Sequence, residues 1–134
     1  KTYDIKQFDQ VWAVFDKDSF SNENFNAAIK KAHKKKMKVA YSNEAFELWY
    51  LLHFHNYNTG MSRDQYKEKL TETLGHEYKK NSTTMYEEIK NRQATAIKNA
   101  SKLLTNFSRG ETPSQRNPST TVFMLVEEMN RYLK

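Results

Sequence analysis

The sequence predicts an α/β domain with a short parallel sheet and a mostly helical C-terminal part. Two short, almost wholly apolar runs, residues 10–15 and 37–41, are joined by one amphipathic segment, and beyond residue 62 apolar side chains recur at helical spacing. Continuous apolar runs suit strands buried on both faces of a sheet. A connection of this length matches the right-handed crossover that leaves two strands parallel. At 134 residues the chain is long enough for one domain with a real core. We read residues 1–55 as a strand-helix-strand-helix core and residues 56–134 as a helical extension.

The first strand is expected over residues 10–15 and is followed by a turn rich in helix-capping residues. Ser21 or Asn22 then caps a helix whose Phe25, Ala28, Ile29 and Ala32 share a face. After the second strand, Ser42 and Asn43 are read as opening a helix that is apolar around most of its circumference, from Phe46 to Phe54, and therefore buried. His55 to Gly60 breaks that helix, and Ser62 starts a third, with Tyr66, Leu70 and Leu74 on one face and a stop near Gly75. Helices are expected over residues 83–89 and 92–107, the second with Ala96, Ala100, Leu103 and Phe107 on a stripe. Residues 108–119, which hold Gly110, Pro113 and Pro118, read as a loop. Thr120 opens a last helix with Val122, Val126, Met129 and Leu133 on one side.

Hydrophobic residues make up 37% of the chain and aromatic ones 13%, enough for a folded core, while 28% charged residues predict a wet surface. Lys and Arg number 22 against 16 Asp and Glu, a formal charge of +6 that favours polyanionic partners, DNA or RNA first. The absence of cysteine excludes disulfides, thiolate zinc sites and cysteine nucleophiles, and makes a cytoplasmic location the default expectation. No stretch of about 18 apolar residues is present, so no membrane partner is expected. Because the chain opens on Lys1 rather than Met, it is expected to be a fragment of something longer.

Asp16 and Asp18 carry the chemistry most worth following. In an ideal strand, residues two apart share a face, so the pair can approach one hard cation. Magnesium takes oxygen ligands and commonly one or two protein carboxylates, which suits phosphoryl transfer. Asp is equally common where a strand gives way to a turn, which is the plainer reading. In a parallel strand-helix-strand unit the C-terminal ends of both strands lie on one edge, where ligands of α/β sheets bind. Asp16 and Asp18 should therefore face Ser42, Asn43, Glu44 and Glu47 across one crevice. With Asn43 as N-cap, free N–H groups there favour a phosphate or carboxylate; ordinary capping explains Ser42 and Asn43 as well. Lys30, Lys31, Lys34 and Lys35 form the core of the densest basic cluster, either a grip on a nucleic-acid backbone or a solvated helix face. For the histidines, whose spacing is not that of a zinc pair on one helical face, structural roles are the first reading.

Val14-Phe15-Asp16-Lys17-Asp18, then Ser42-Asn43-Glu44-Ala45-Phe46-Glu47-Leu48-Trp49-Tyr50-Leu51-Leu52-His53-Phe54, then Asn117-Pro118-Ser119-Thr120-Thr121-Val122 resemble the RloB family of bacterial proteins over nearly the whole chain. The resemblance implies an abortive phage-resistance role near restriction-modification genes, an ATPase partner, and a TOPRIM fold with a truncated, Rossmann-like sheet. It further implies Mg2+ (or Mn2+) bound by Asp16 and Asp18, with Glu47 in support, for nucleic-acid phosphodiester cleavage, and makes His53, which lies in the motif, the candidate general base or phosphate contact among the histidines. In the TOPRIM pattern an earlier strand supplies a metal-binding Glu. Residues 1–9 offer no apolar run for that strand, and Asp4 and Asp9 have the wrong setting, so the Glu is expected upstream of Lys1 and the fragment is expected to be inert by itself. Where the family commonly has Pro after Ser-Asn, this chain has Glu44. The alternative is a non-catalytic module that binds nucleic acid or the ATPase partner.

Overall fold

The computed structural model describes residues 10–133. Strands β1 (Trp12–Asp16) and β2 (Lys38–Asn43) pair in parallel, with Trp12 opposite Lys38 and Asp16 opposite Ser42. Helix α1 (Asn22–Lys34) makes the crossover between them. Ser21 caps it, its Oγ accepting from the Asn24 N–H at 3.1 Å. A third strand, β3 (Ser119–Thr120), lies antiparallel to β2 on its other side, so the sheet is mixed, in the order β1-β2-β3. The fold class is α/β, as predicted, and the parallel pair is the unit that the two apolar runs encode.

Side chains alternate across β2 and build a core on each face of the sheet. Val39 and Tyr41 pack with Phe25, Ile29 and Ala32 of α1. Phe25 meets Phe15 and Tyr41 edge-on, with ring centroids 5.9 Å and 5.5 Å apart. Ala40 faces the larger core, made by α2 (Glu47–Leu51), α3 (Arg63–Leu74), α4 (Met85–Ile89), α5 (Gln93–Leu104) and α6 (Val122–Tyr132). Leu48, Leu51, Leu52, Tyr66, Leu70, Ala96 and Ala100 are all fully buried there. α3 has the ends its sequence predicts: a reciprocal capping box between Ser62 and Gln65, and Gly75 in the left-handed region with φ 80°. No helix among the described residues is long and apolar enough to cross a membrane.

Four expectations are corrected by the packing. β1 is an edge strand among the described residues and Val14 is 49% exposed, so the run is not buried on both faces. Ser42 and Asn43 do not open a helix: β2 continues through Asn43 because Ser119 and Thr120 pair with it, and α2 begins only at Glu47. Part of the expected loop and the expected helix start at Thr120 are therefore strand, and α6 begins at Val122. Ala28 in α1, and Met129 and Leu133 at the end of the chain, lie exposed rather than on buried stripes. Asp4 and Asp9, with the rest of residues 1–9, lie outside the described residues.

Candidate functional site

The C-terminal ends of β1 and β2 share one edge of the sheet, and hydrogen bonds carry their pairing into the segments beyond. The Lys17 N–H donates to the Ser42 carbonyl and the Asp18 N–H to the Glu44 carbonyl, both at 2.9 Å. Asp16 is the last residue of β1, while Asp18 lies in the turn that follows, with φ 43°. The two aspartates are therefore not successive same-face positions of an extended strand. Asp tolerates the left-handed backbone better than most residues, and the turn returns its carboxylate to the neighbourhood of Asp16.

Arg63, the first residue of α3, draws the acids together. Its Nη2 donates to Asp16 Oδ2 and its Nη1 to Asp18 Oδ2 at 3.1 Å, so the planar fork spans both aspartates. Its Nε lies 3.5 Å from Glu47 Oε1, close enough for charge attraction but not aligned as a hydrogen bond. Glu47 is 3% exposed, and its other oxygen, Oε2, accepts from the Tyr78 hydroxyl at 2.9 Å. Burial first, and then the Glu47 charge, push the Tyr78 phenol well above its usual range, so it remains a donor. These groups, with Lys80, line an open cleft of about 450 Å3.

Burial also pushes the Asp16 carboxyl up from its ordinary 3.8; the Phe46 N–H and the Arg63 guanidinium pull the other way without cancelling the effect, and Glu47 adds to the rise. One guanidinium thus faces three carboxylates, and Glu47 Oε1 is buried without a hydrogen-bond donor. All-oxygen donors with surplus negative charge fit a hard divalent cation such as Mg2+ or Mn2+. The fit is to the aspartate pair. Among the described residues no group of three or more His, Cys, Asp or Glu side chains is arranged to hold a metal jointly; Asp16 and Asp18 are bonded to Arg63, and Glu47 to the Tyr78 hydroxyl.

The other residues singled out from sequence lie elsewhere. Ser42 is fully buried and shares a hydrogen bond with the Thr120 hydroxyl at 2.8 Å. Asn43 is 1% exposed, its Nδ2 donating to the Pro113 and Ser114 carbonyls. Both are strand residues that tie β2 to the segment around β3, and neither is a helix cap. His53 is 2% exposed, its Nδ1 within 2.9 Å of the Trp49 carbonyl and its ring edge-on to Trp49, which places it in the core and away from any surface that a nucleic acid reaches. Lys30, Lys31, Lys34 and Lys35 are exposed on α1 and just past its end. Since α1 runs antiparallel to both strands it joins, its lysine-bearing end points to the edge opposite the cleft, about 18 Å from its first turn at helical rise.

Arg63 and Tyr78 were not foreseen. One signal for Arg63 was present: a cation at the first position of a helix sits against the positive end of the helix dipole, an unfavourable placement unless an acidic partner compensates. For Tyr78 no such local cue exists, because its partner is 31 residues away in sequence.

A family model described as RloB-like protein matches residues 1–129. No curated protein matches the chain, and no solved structure does. Because the match covers nearly all of the sequence and includes the strand-end aspartates and the Ser42 to Glu47 segment, the chain belongs to the RloB-like family.

Proposed function

We propose that this chain contributes the metal-binding aspartates of a TOPRIM-like, metal-dependent enzyme of phage defence, one that cleaves nucleic-acid phosphodiesters in the cytoplasm with an ATPase partner. The observation that supports it is the meeting of Asp16, Asp18 and Glu47 in one cleft at the shared C-terminal edge of the parallel strands. Asp16 and Asp18 hold Mg2+ or Mn2+, and Glu47, fixed by the Tyr78 hydroxyl, supports the site from its buried side. A bound cation there supplies Lewis-acid polarisation of a phosphate oxygen and an activated water. Lys80, which lines the cleft, offers positive charge to the substrate backbone.

The exposed lysines of α1 favour a second reading, a non-catalytic module that binds nucleic acid or the ATPase partner. Paired variants of the full-length protein separate the two. Asp16→Asn with Asp18→Asn is expected to bring Mn2+-dependent cleavage of labelled DNA and RNA to background while leaving binding in EDTA unchanged. Charge reversal at Lys31 and Lys35 is expected to weaken binding and to lower the log-log salt slope by about 2 if both contact phosphates. Cleavage that survives the aspartate substitutions refutes Asp16 and Asp18 as the metal ligands, and binding without Mn2+-dependent cleavage in the wild type refutes the enzyme reading. Unchanged binding in the lysine variant makes that helix face solvated surface.

A further inference from the structure

We infer that Arg63 is the resident counter-cation of the acidic cleft, occupying the place of a divalent ion and giving up Asp16 and Asp18 when that ion binds. This rests on the metal-dependent reading of the cleft and adds to it a residue that competes with the metal.

Three contacts carry the inference. The two terminal nitrogens of one guanidinium are each bonded to Oδ2 of a different aspartate, so one oxygen of each acid is committed to Arg63 and a positive charge lies between the two carboxylates while it stays. Its third nitrogen faces Glu47 Oε1 without forming a hydrogen bond, which leaves a buried carboxylate oxygen, in a residue 3% exposed that lines the cleft, with its charge incompletely met. The Arg63 side chain itself is 23% exposed and Asp18 42%, so the outer part of the cluster opens to solvent and the guanidinium has a route out. A point charge of +2 among oxygen ligands meets the surplus negative charge better than a delocalised +1. A guanidinium released beside a bound cation has the planar fork that matches a phosphate.

The inference is tested by calorimetric titration of Mn2+ into the wild-type chain, Arg63→Gln, Arg63→Lys and the Asp16→Asn/Asp18→Asn variant, with circular dichroism to confirm folding. Removing the competing charge is expected to tighten Mn2+ binding in Arg63→Gln by about tenfold. Arg63→Lys, which keeps the charge but cannot span both aspartates, is expected to fall between the two and serves as the test if the Gln variant does not fold. Thermal unfolding gives a second readout: Arg63→Gln should melt lower than wild type in EDTA and gain more from Mn2+. Wild-type binding with unchanged or weaker affinity in the Arg63 variants overturns the inference and leaves the metal reading standing. Absence of Mn2+ binding in the wild type and the Arg63 variants, or equal binding by the double aspartate variant, overturns both.

Discussion

Arg63 shows how a site can be half legible in a sequence. The acids were found because Asp16 and Asp18 end an apolar run and because chain order alone places Glu47 on the same sheet edge. The guanidinium that organises them is 47 residues from Asp16 and belongs to a helix whose own pattern concerns only its cap and its buried face. His53 shows the converse: inside a distinctive motif it was a candidate for chemistry, and it is a core residue. Burial lowers its imidazole below the ordinary 6.5, outweighing the opposite pull of the Trp49 and Tyr50 carbonyls. The unfolded chain therefore takes up this proton at a higher pH than the folded one, and stability falls as the pH drops from about 6.5 toward the lowered value. His76 acts with the opposite sign: its hydrogen bond to Glu88 raises its pKa, giving stability that is complete below 6.5 and lost as the pH rises through the raised value. The expectation is thus a difference between proteins. In urea denaturation from about pH 5 to about pH 8, His53→Gln should lack the acid-side loss of the wild type, a slope of up to about 1.4 kcal/mol per pH unit. An identical slope in both means that His53 is not held neutral by the fold.

At the scale of elements, β2 decided more than local propensity did. Ser-Asn before Glu is a familiar helix-start pattern, yet Ser42 and Asn43 extend the strand because β3 satisfies their backbone from the other side. A two-residue strand has no periodicity to read, so β3 was hidden within a loop rich in proline and glycine. Its role becomes visible through Thr121: the Tyr41 N–H donates to Thr121 Oγ1 at 2.9 Å, and the Thr121 N–H donates back to the Tyr41 carbonyl at 2.8 Å. Thr121→Val leaves a buried N–H without an acceptor, which should cost about 1–3 kcal/mol, read as a lower urea midpoint. Thr121→Ser keeps the hydroxyl and should recover most of that loss. Equal stability of Thr121→Val and wild type contradicts the view that this bond holds the C-terminal helix onto the sheet. The elements with complete local codes fared best, α3 above all, where capping box, apolar spacing and terminal glycine agree.

For the whole molecule, the strand-helix-strand topology sorts charge to opposite edges: acids and Arg63 at one, the lysines of α1 toward the other. A net charge of +6 suggested a polyanion-binding protein, but composition carries no direction, and only the crossover reveals that the basic face and the acidic cleft are separate surfaces. A nucleic acid held by both has to span about the length of α1, roughly 18 Å at helical rise. The central claim, however, concerns the acidic edge alone. Its most direct measurement is the anomalous difference density from crystals of the full chain soaked in Mn2+. A peak is expected between the carboxylates of Asp16 and Asp18, with the Arg63 guanidinium displaced from both. A peak away from both aspartates, or none with Arg63 still bridging them, would contradict it.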